Sequence, residues 1–84
     1  MDNEIWTVEI EVSRKGEPWQ QVASGTWQPR ATDPLRLHGE VLPQAALDDL
    51  TKLDPTGHEG GSSGTQIGEV RFRMNFHRLN PASA

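Results

Sequence analysis

Cysteine is absent from the 84 residues. That removes disulfide staples, thiolate catalysis and cysteine-type zinc sites together. Apolar residues are scarce as well, at 33% of the chain, below the roughly 45–50% of ordinary domains on a count that includes glycine. No run approaches the roughly 18 apolar residues of a membrane-spanning helix. Basic residues are few: 8 Lys and Arg, of which only Lys15 and Lys52 are lysines, face 12 Asp and Glu, for a formal net charge of −4. A chain of this sign has no general attraction to phosphate, so binding nucleic acid would need a locally basic surface.

Charged residues make up 24% of the sequence, close to average, and 8 Gly with 6 Pro imply extensive turns. A mass of 9.3 kDa leaves room for a single small domain spanning residues 1–84. Barrel hydrolases, doubly wound dinucleotide enzymes and two-lobed clefts are excluded by that size. The start, Met1-Asp2-Asn3-Glu4, is acidic and has no apolar run behind it, unlike a signal peptide. The expected location is cytoplasmic.

Residues 4–12 alternate as a strand, with Trp6, Val8, Ile10 and Val12 on one face and Thr7, Glu9 and Glu11 on the other. A turn centred on Lys15-Gly16 leads to a second strand over 19–27. Its phase is mixed: Trp19, Ala23 and Trp27 share a parity, Val22 opposes them, and Gly25 invites a bulge. Leu35-Arg36-Leu37-His38 offers a short fourth strand near 35–41. Pro43 suits a helix start, and Ala46, Leu47, Leu50 and Leu53 follow at helical spacing, predicting a helix over 43–53 that Asp54-Pro55 stops. Residues 54–66 hold 4 Gly and 2 Ser and read as a flexible loop. The cleanest alternation comes last: Val70, Phe72, Met74 and Phe76 face one way, Arg71, Arg73, Asn75 and His77 the other. Residues 80–84 are expected to fray.

Charge suggests the pairing. Antiparallel alignment of the first and last strands, with Glu9 opposite Arg73 and Glu11 opposite Arg71, also sets Trp6 against Phe76, Val8 against Met74, Ile10 against Phe72 and Val12 against Val70. The expected fold is α+β with two layers, β-β-α-β: a three-stranded antiparallel sheet of order 2-1-3 under one helix. In that arrangement the last strand has an open edge, and the core is marginal for a monomer, so a homodimer formed by sheet edge or sheet face is expected.

Chemistry-bearing motifs are weak. Gly60-Gly61-Ser62-Ser63-Gly64 fits G-x-S-x-G in letters but lacks the strand–turn–helix setting of a nucleophile elbow, and it lacks the Gly-Lys-Ser/Thr ending of a phosphate loop. His38, His58 and His77 show no ligand spacing, so no metal or cofactor is inferred. The leading expectation is a small non-catalytic protein that binds another protein or itself, as a regulator, inhibitor or accessory subunit. Its candidate interface is Trp19, Trp27, Arg71, Arg73, Asn75 and His77, since tryptophan and arginine anchor contacts. Two alternatives belong to other classes: a single-stranded nucleic-acid module using Arg71, Arg73, Arg78 and a tryptophan, and an enzyme with an inter-subunit site around His38, Glu40 and His77. No membrane partner and no small-molecule substrate is inferred.

Overall fold

Alternating apolar residues build one face of a sheet, and a short helix closes it. The computed structural model describes residues 4–79, so the expectation for 80–84 lies outside the described residues. The elements are β1 (Trp6–Arg14), β2 (Gln20–Trp27), β3 (Leu35–Gly39), α1 (Gln44–Leu50), β4 (Gly60–Ile67) and β5 (Val70–Arg78). Every neighbouring pair is antiparallel, in one five-stranded sheet of order β3-β2-β1-β5-β4. The α+β class therefore holds, while the three-stranded count and the 2-1-3 order give way to a wider sheet. The expected trio survives as its centre, β2-β1-β5, and the short strand near 35–41 is present as β3.

The larger correction concerns the Gly/Ser tract. Residues 60–66 of the expected flexible loop belong to β4, which occupies the edge that β5 was expected to leave open. The tract has no apolar alternation, yet its small side chains are what the position needs. A Cβ on Gly61 would lie 3.0 Å from the Phe76 ring, so glycine lets that ring lie flat on β4. Ser63 Oγ donates to the Leu50 carbonyl at 2.7 Å and Thr65 Oγ1 to Asp49 Oδ2 at 2.9 Å, docking the end of α1 on β4.

β1 and β5 pair as expected in direction, with register shifted by two residues. Glu11 stands opposite Arg73, Glu9 opposite Asn75, Val8 opposite Phe76, Ile10 opposite Met74 and Val12 opposite Phe72. A two-residue slip keeps every side chain on its face, so hydrophobic patterning does not select between these registers. Turn position does: the tight turn at Gly68 (φ 62) ends β5 at Val70, which meets Arg14 at the far end of β1.

The core consists of Trp6, Val8, Ile10 and Val12 from β1, Ala23 and Trp27 from β2, Phe72, Met74 and Phe76 from β5, and Ala46 and Leu50 from α1. Trp27 sits between Trp6 (ring centroids 6.3 Å apart) and the edge of Phe76 (5.5 Å, interplanar angle 81°). Such tilted and edge-to-face contacts add about 0.5–1.5 kcal/mol beyond area burial. Trp6 also donates from Nε1 to the His58 carbonyl at 3.1 Å, tying the 54–58 segment to the sheet. The helix is shorter than the expected 43–53. Pro43 is its N-cap rather than its first residue, and Thr51 closes it by donating Oγ1 to the Leu47 carbonyl at 2.8 Å.

Candidate functional site

With α1 and the core on one side, no helix or strand among the described residues covers the second side of the sheet. β1 presents Thr7, Glu9 and Glu11 there; β5 presents Arg71, Arg73, Asn75 and His77; β3 presents Arg36 and His38; and β4 presents Ser62 and Gln66. This polar face carries the candidate site, and one irregularity determines its composition.

The pairing of β2 with β1 jumps between Ile10↔Ala23 and Glu11↔Gln21, leaving Val22 as an extra residue. A bulge of this kind shifts the side-chain phase by one. Ala23 and Trp27 therefore face the core, while Gln21 and, beyond it, Trp19 turn to the open side. The bulge was expected at Gly25; Gly25 instead serves a close approach, for a Cβ there would lie 1.8 Å from the Arg36 carbonyl oxygen on β3. Val22 uses its carbonyl to accept the Glu40 N–H at 3.0 Å, so the bulge is held by the exit of β3.

Trp19 lies half-buried on the open face. Its ring covers the guanidinium of Arg73 at 4.2 Å and that of Arg71 at 5.2 Å, both within the reach of a cation–π attraction. Arg73 is fixed from below: its Nε donates to Glu11 Oε1 at 2.8 Å, and the same oxygen accepts from Asn75 Nδ2 at 3.0 Å. Glu11 thus holds Arg73 and Asn75 in place, and Trp19 roofs the arginine. Beside them runs a groove of about 430 Å³ lined by Trp19, Ser62, Gly64, Gln66, Arg71 and Arg73. A second groove on the same face, of about 410 Å³, is lined by Thr7, Glu9, Ser24, Thr26, Arg36 and His38.

Of the six candidate interface residues, Trp19, Arg71, Arg73, Asn75 and His77 share this open face. Trp27 does not: it is 2% exposed, within the core, because the bulge separates its phase from that of Trp19. Sequence reasoning missed Ser62, Gly64 and Gln66, which the loop reading hid; no apolar pattern marks them.

The remaining motifs are dispersed. His38 and His77 lie on the same face but on β3 and β5, three strand spacings or about 14 Å apart across the sheet. Glu40 is paired with Arg14 at 3.1 Å. Arg78 is held by Glu4 at 2.9 Å and faces Glu59 at 3.8 Å. Gly60-Gly61-Ser62-Ser63-Gly64 is extended edge strand that continues to Ile67 and turns back into β5, not the strand–turn–helix junction of an elbow. Among the described residues no three His, Asp or Glu side chains gather to hold a metal ion, and no helix is long and apolar enough to cross a membrane.

Two carboxylates are perturbed. Asp49 is held below the ordinary carboxylate range, first by the Thr65 hydroxyl and then by Lys52. Asp54 is lowered by the hydroxyl and then the backbone N–H of Thr56, which it caps at 3.0 Å. Both secure the helix and the loop behind the core; neither touches the open face. Compared with protein-family models, curated proteins and solved structures, the chain matches none.

Proposed function

We propose that the protein works by contact and not by catalysis: a small cytoplasmic regulator, inhibitor or accessory subunit that associates with itself and presents the open sheet face to a partner protein. The observation that carries this reading is Trp19, half-buried and stacked 4.2 Å over an arginine already fixed by Glu11. Large amphipathic side chains held rigid before binding lose little entropy on contact, and Trp and Arg dominate interface hot spots. The adjoining groove is open, with Trp19, Arg71 and Arg73 on one side and the small residues of β4 on the other, which suits a protein surface better than an enclosed ligand. The chain's net charge of −4 favours a basic partner through long-range steering only, since the open face itself sets Glu9 and Glu11 against Arg36, Arg71 and Arg73. The test is the affinity of wild type and Trp19→Ala for a partner purified from the native cell. A hot spot of about 2 kcal/mol gives roughly a 30-fold loss; equal affinities would remove the open face as the binding surface.

A second reading, single-stranded nucleic-acid binding, draws on the same stacking of Trp19 with Arg71 and Arg73. The charge balance weighs against it. Arg73 is neutralised by Glu11 and Arg78 by Glu4, which leaves Arg71, held by the Trp19 ring at 5.2 Å, as the one of these three arginines without a carboxylate among the described residues. A tryptophan-fluorescence titration with an oligonucleotide at low salt decides: salt-sensitive quenching lost in Arg71→Ala supports this reading, and no quenching removes it.

A further inference from the structure

We propose that the outer edge of β4 pairs antiparallel with β4 of a second copy, about a two-fold axis at Ser63. The proposal rests on the reading of a self-associating protein and names the surface that does it. Edge strands expose unpaired N–H and C=O groups, and proteins blunt them with charges, proline, bulges or short length. β3, one edge of this sheet, is blunted: it has 5 residues, follows Pro34, carries Arg36 and ends at Gly39 with φ 133. β4, the other edge, has 8 residues and no charge, proline or bulge.

The ladder phase makes this edge self-complementary. Arg78 N–H donates to the Glu59 carbonyl at 2.7 Å. Bonded and non-bonded pairs alternate along an antiparallel ladder, so residues 61, 63, 65 and 67 direct their backbone groups at β5. Gly60, Ser62, Gly64 and Gln66 direct theirs outward. These four are symmetric about Ser63, so a second β4 running the other way sets Gly60 against Gln66 and Ser62 against Gly64 in both directions. All four outward residues of each copy are then paired, in the isologous contact that a two-fold axis generates.

Electrostatics permit the approach despite the acidic chain. Among the described residues three acids bordering the edge are matched within their own copy: Glu59 by Arg78 at 3.8 Å, Asp49 by Lys52 at 3.2 Å and Glu69 by Lys15 at 3.8 Å, while Arg71 lies back on β5 beneath Trp19. The glycines and serines add no bulk between the strands. The product is one continuous ten-stranded sheet, two sets of five, whose open faces join into a single surface with a Trp19 cluster on each half.

Solution mass by light scattering tests the proposal on the full chain. Wild type is expected near 18.6 kDa, twice the 9.3 kDa chain. Ser62→Lys places two ammonium groups beside the axis and is expected to give 9.3 kDa while keeping the wild-type circular dichroism spectrum, with a melting temperature lowered only by the lost association. Thr32→Lys, in the exposed β2–β3 loop, keeps the larger mass. The absence of native cysteine allows an independent check of register. A Ser63→Cys pair would face itself across the axis at about 4.5 Å between Cα atoms, the spacing of a non-bonded antiparallel pair and within disulfide reach. Mild oxidation should link that variant into dimers and leave Thr32→Cys unlinked. A dimer mass retained by Ser62→Lys, or no link through Ser63→Cys, overturns the edge while leaving self-association standing. A wild-type mass of 9.3 kDa at millimolar concentration overturns both.

Discussion

Gly25→Ala should unpair β3 from the sheet, and the size of the effect follows from one distance. A Cβ at residue 25 would stand 1.8 Å from the Arg36 carbonyl oxygen and 2.8 Å from its carbon. Carbon–oxygen contacts settle near 3.3 Å, so β3 must withdraw by about 1.5 Å. A shift that large stretches ladder bonds of about 2.9 Å beyond useful length. Two or three bonds at about 1 kcal/mol each bring the loss to roughly 2–3 kcal/mol. For a chain of this length, total stability is of order 4–13 kcal/mol, so the variant remains folded but visibly weakened. Urea unfolding followed by tryptophan fluorescence reads the change. With a slope of about 1–1.5 kcal/mol/M, the midpoint should fall by roughly 2 M. Gly64→Ala is the control of opposite sign. Its nearest neighbour is the Phe72 carbonyl oxygen at 3.4 Å, an ordinary contact, and replacing a strand glycine should add about 0.5 kcal/mol. A Gly25→Ala midpoint within about 0.3 M of wild type, or a Gly64→Ala loss of equal size, would refute the close-approach argument.

Trp19→Ala removes two cation–π contacts at a partly exposed site and should cost about 1 kcal/mol of stability in the same urea assay; a loss above about 3 kcal/mol would identify Trp19 as core instead. Leu50→Ala, at 0% exposure the main anchor of α1, should lose about 2–5 kcal/mol by calorimetry, and a loss below about 1 kcal/mol would refute the docking of the helix on β4 and β5. Because Asp49 and Asp54 have lowered pKa values in the folded chain, their stabilisation is fully present above the ordinary carboxylate range and is lost as pH falls through the lowered values. The melting temperature of wild type should therefore drop more steeply below about pH 4 than that of an Asp49→Asn, Asp54→Asn double variant; parallel slopes would remove that linkage.

What the sequence made legible is the part of the fold written in alternation. Trp6 to Val12 and Val70 to Phe76 each carry an unbroken two-residue period, and their opposite charges placed them side by side in the correct sense. The register escaped by two residues because nothing in a two-residue period opposes such a slip. β4 escaped for a different reason. A strand under an aromatic ring and against a helix end is selected for small size and hydroxyls, as Gly61, Ser63 and Thr65 show, and that composition is the same as a linker's. Its identity comes from Phe76 and Leu50, residues distant in the chain, not from anything local.

The candidate site was half legible on the same principle. Arg71, Arg73, Asn75 and His77 follow directly from the phase of β5, so their shared face needed no structure. Trp19 and Trp27, eight residues apart, have equal parity, and a regular strand would have put both in the core or both on the surface. Val22 breaks that equivalence. One inserted residue, held by the Glu40 N–H, sends Trp27 inward to Trp6 and Phe76 and Trp19 outward over Arg73. The opposed parity of Val22 was the visible trace of this, although glycine at 25 seemed the better place for a bulge. The inward tryptophan contributes to stability. The outward one, supported by Glu11 through Arg73, gives the open face its one large rigid side chain, so the proposed binding surface depends on a backbone irregularity as much as on the residues that form it.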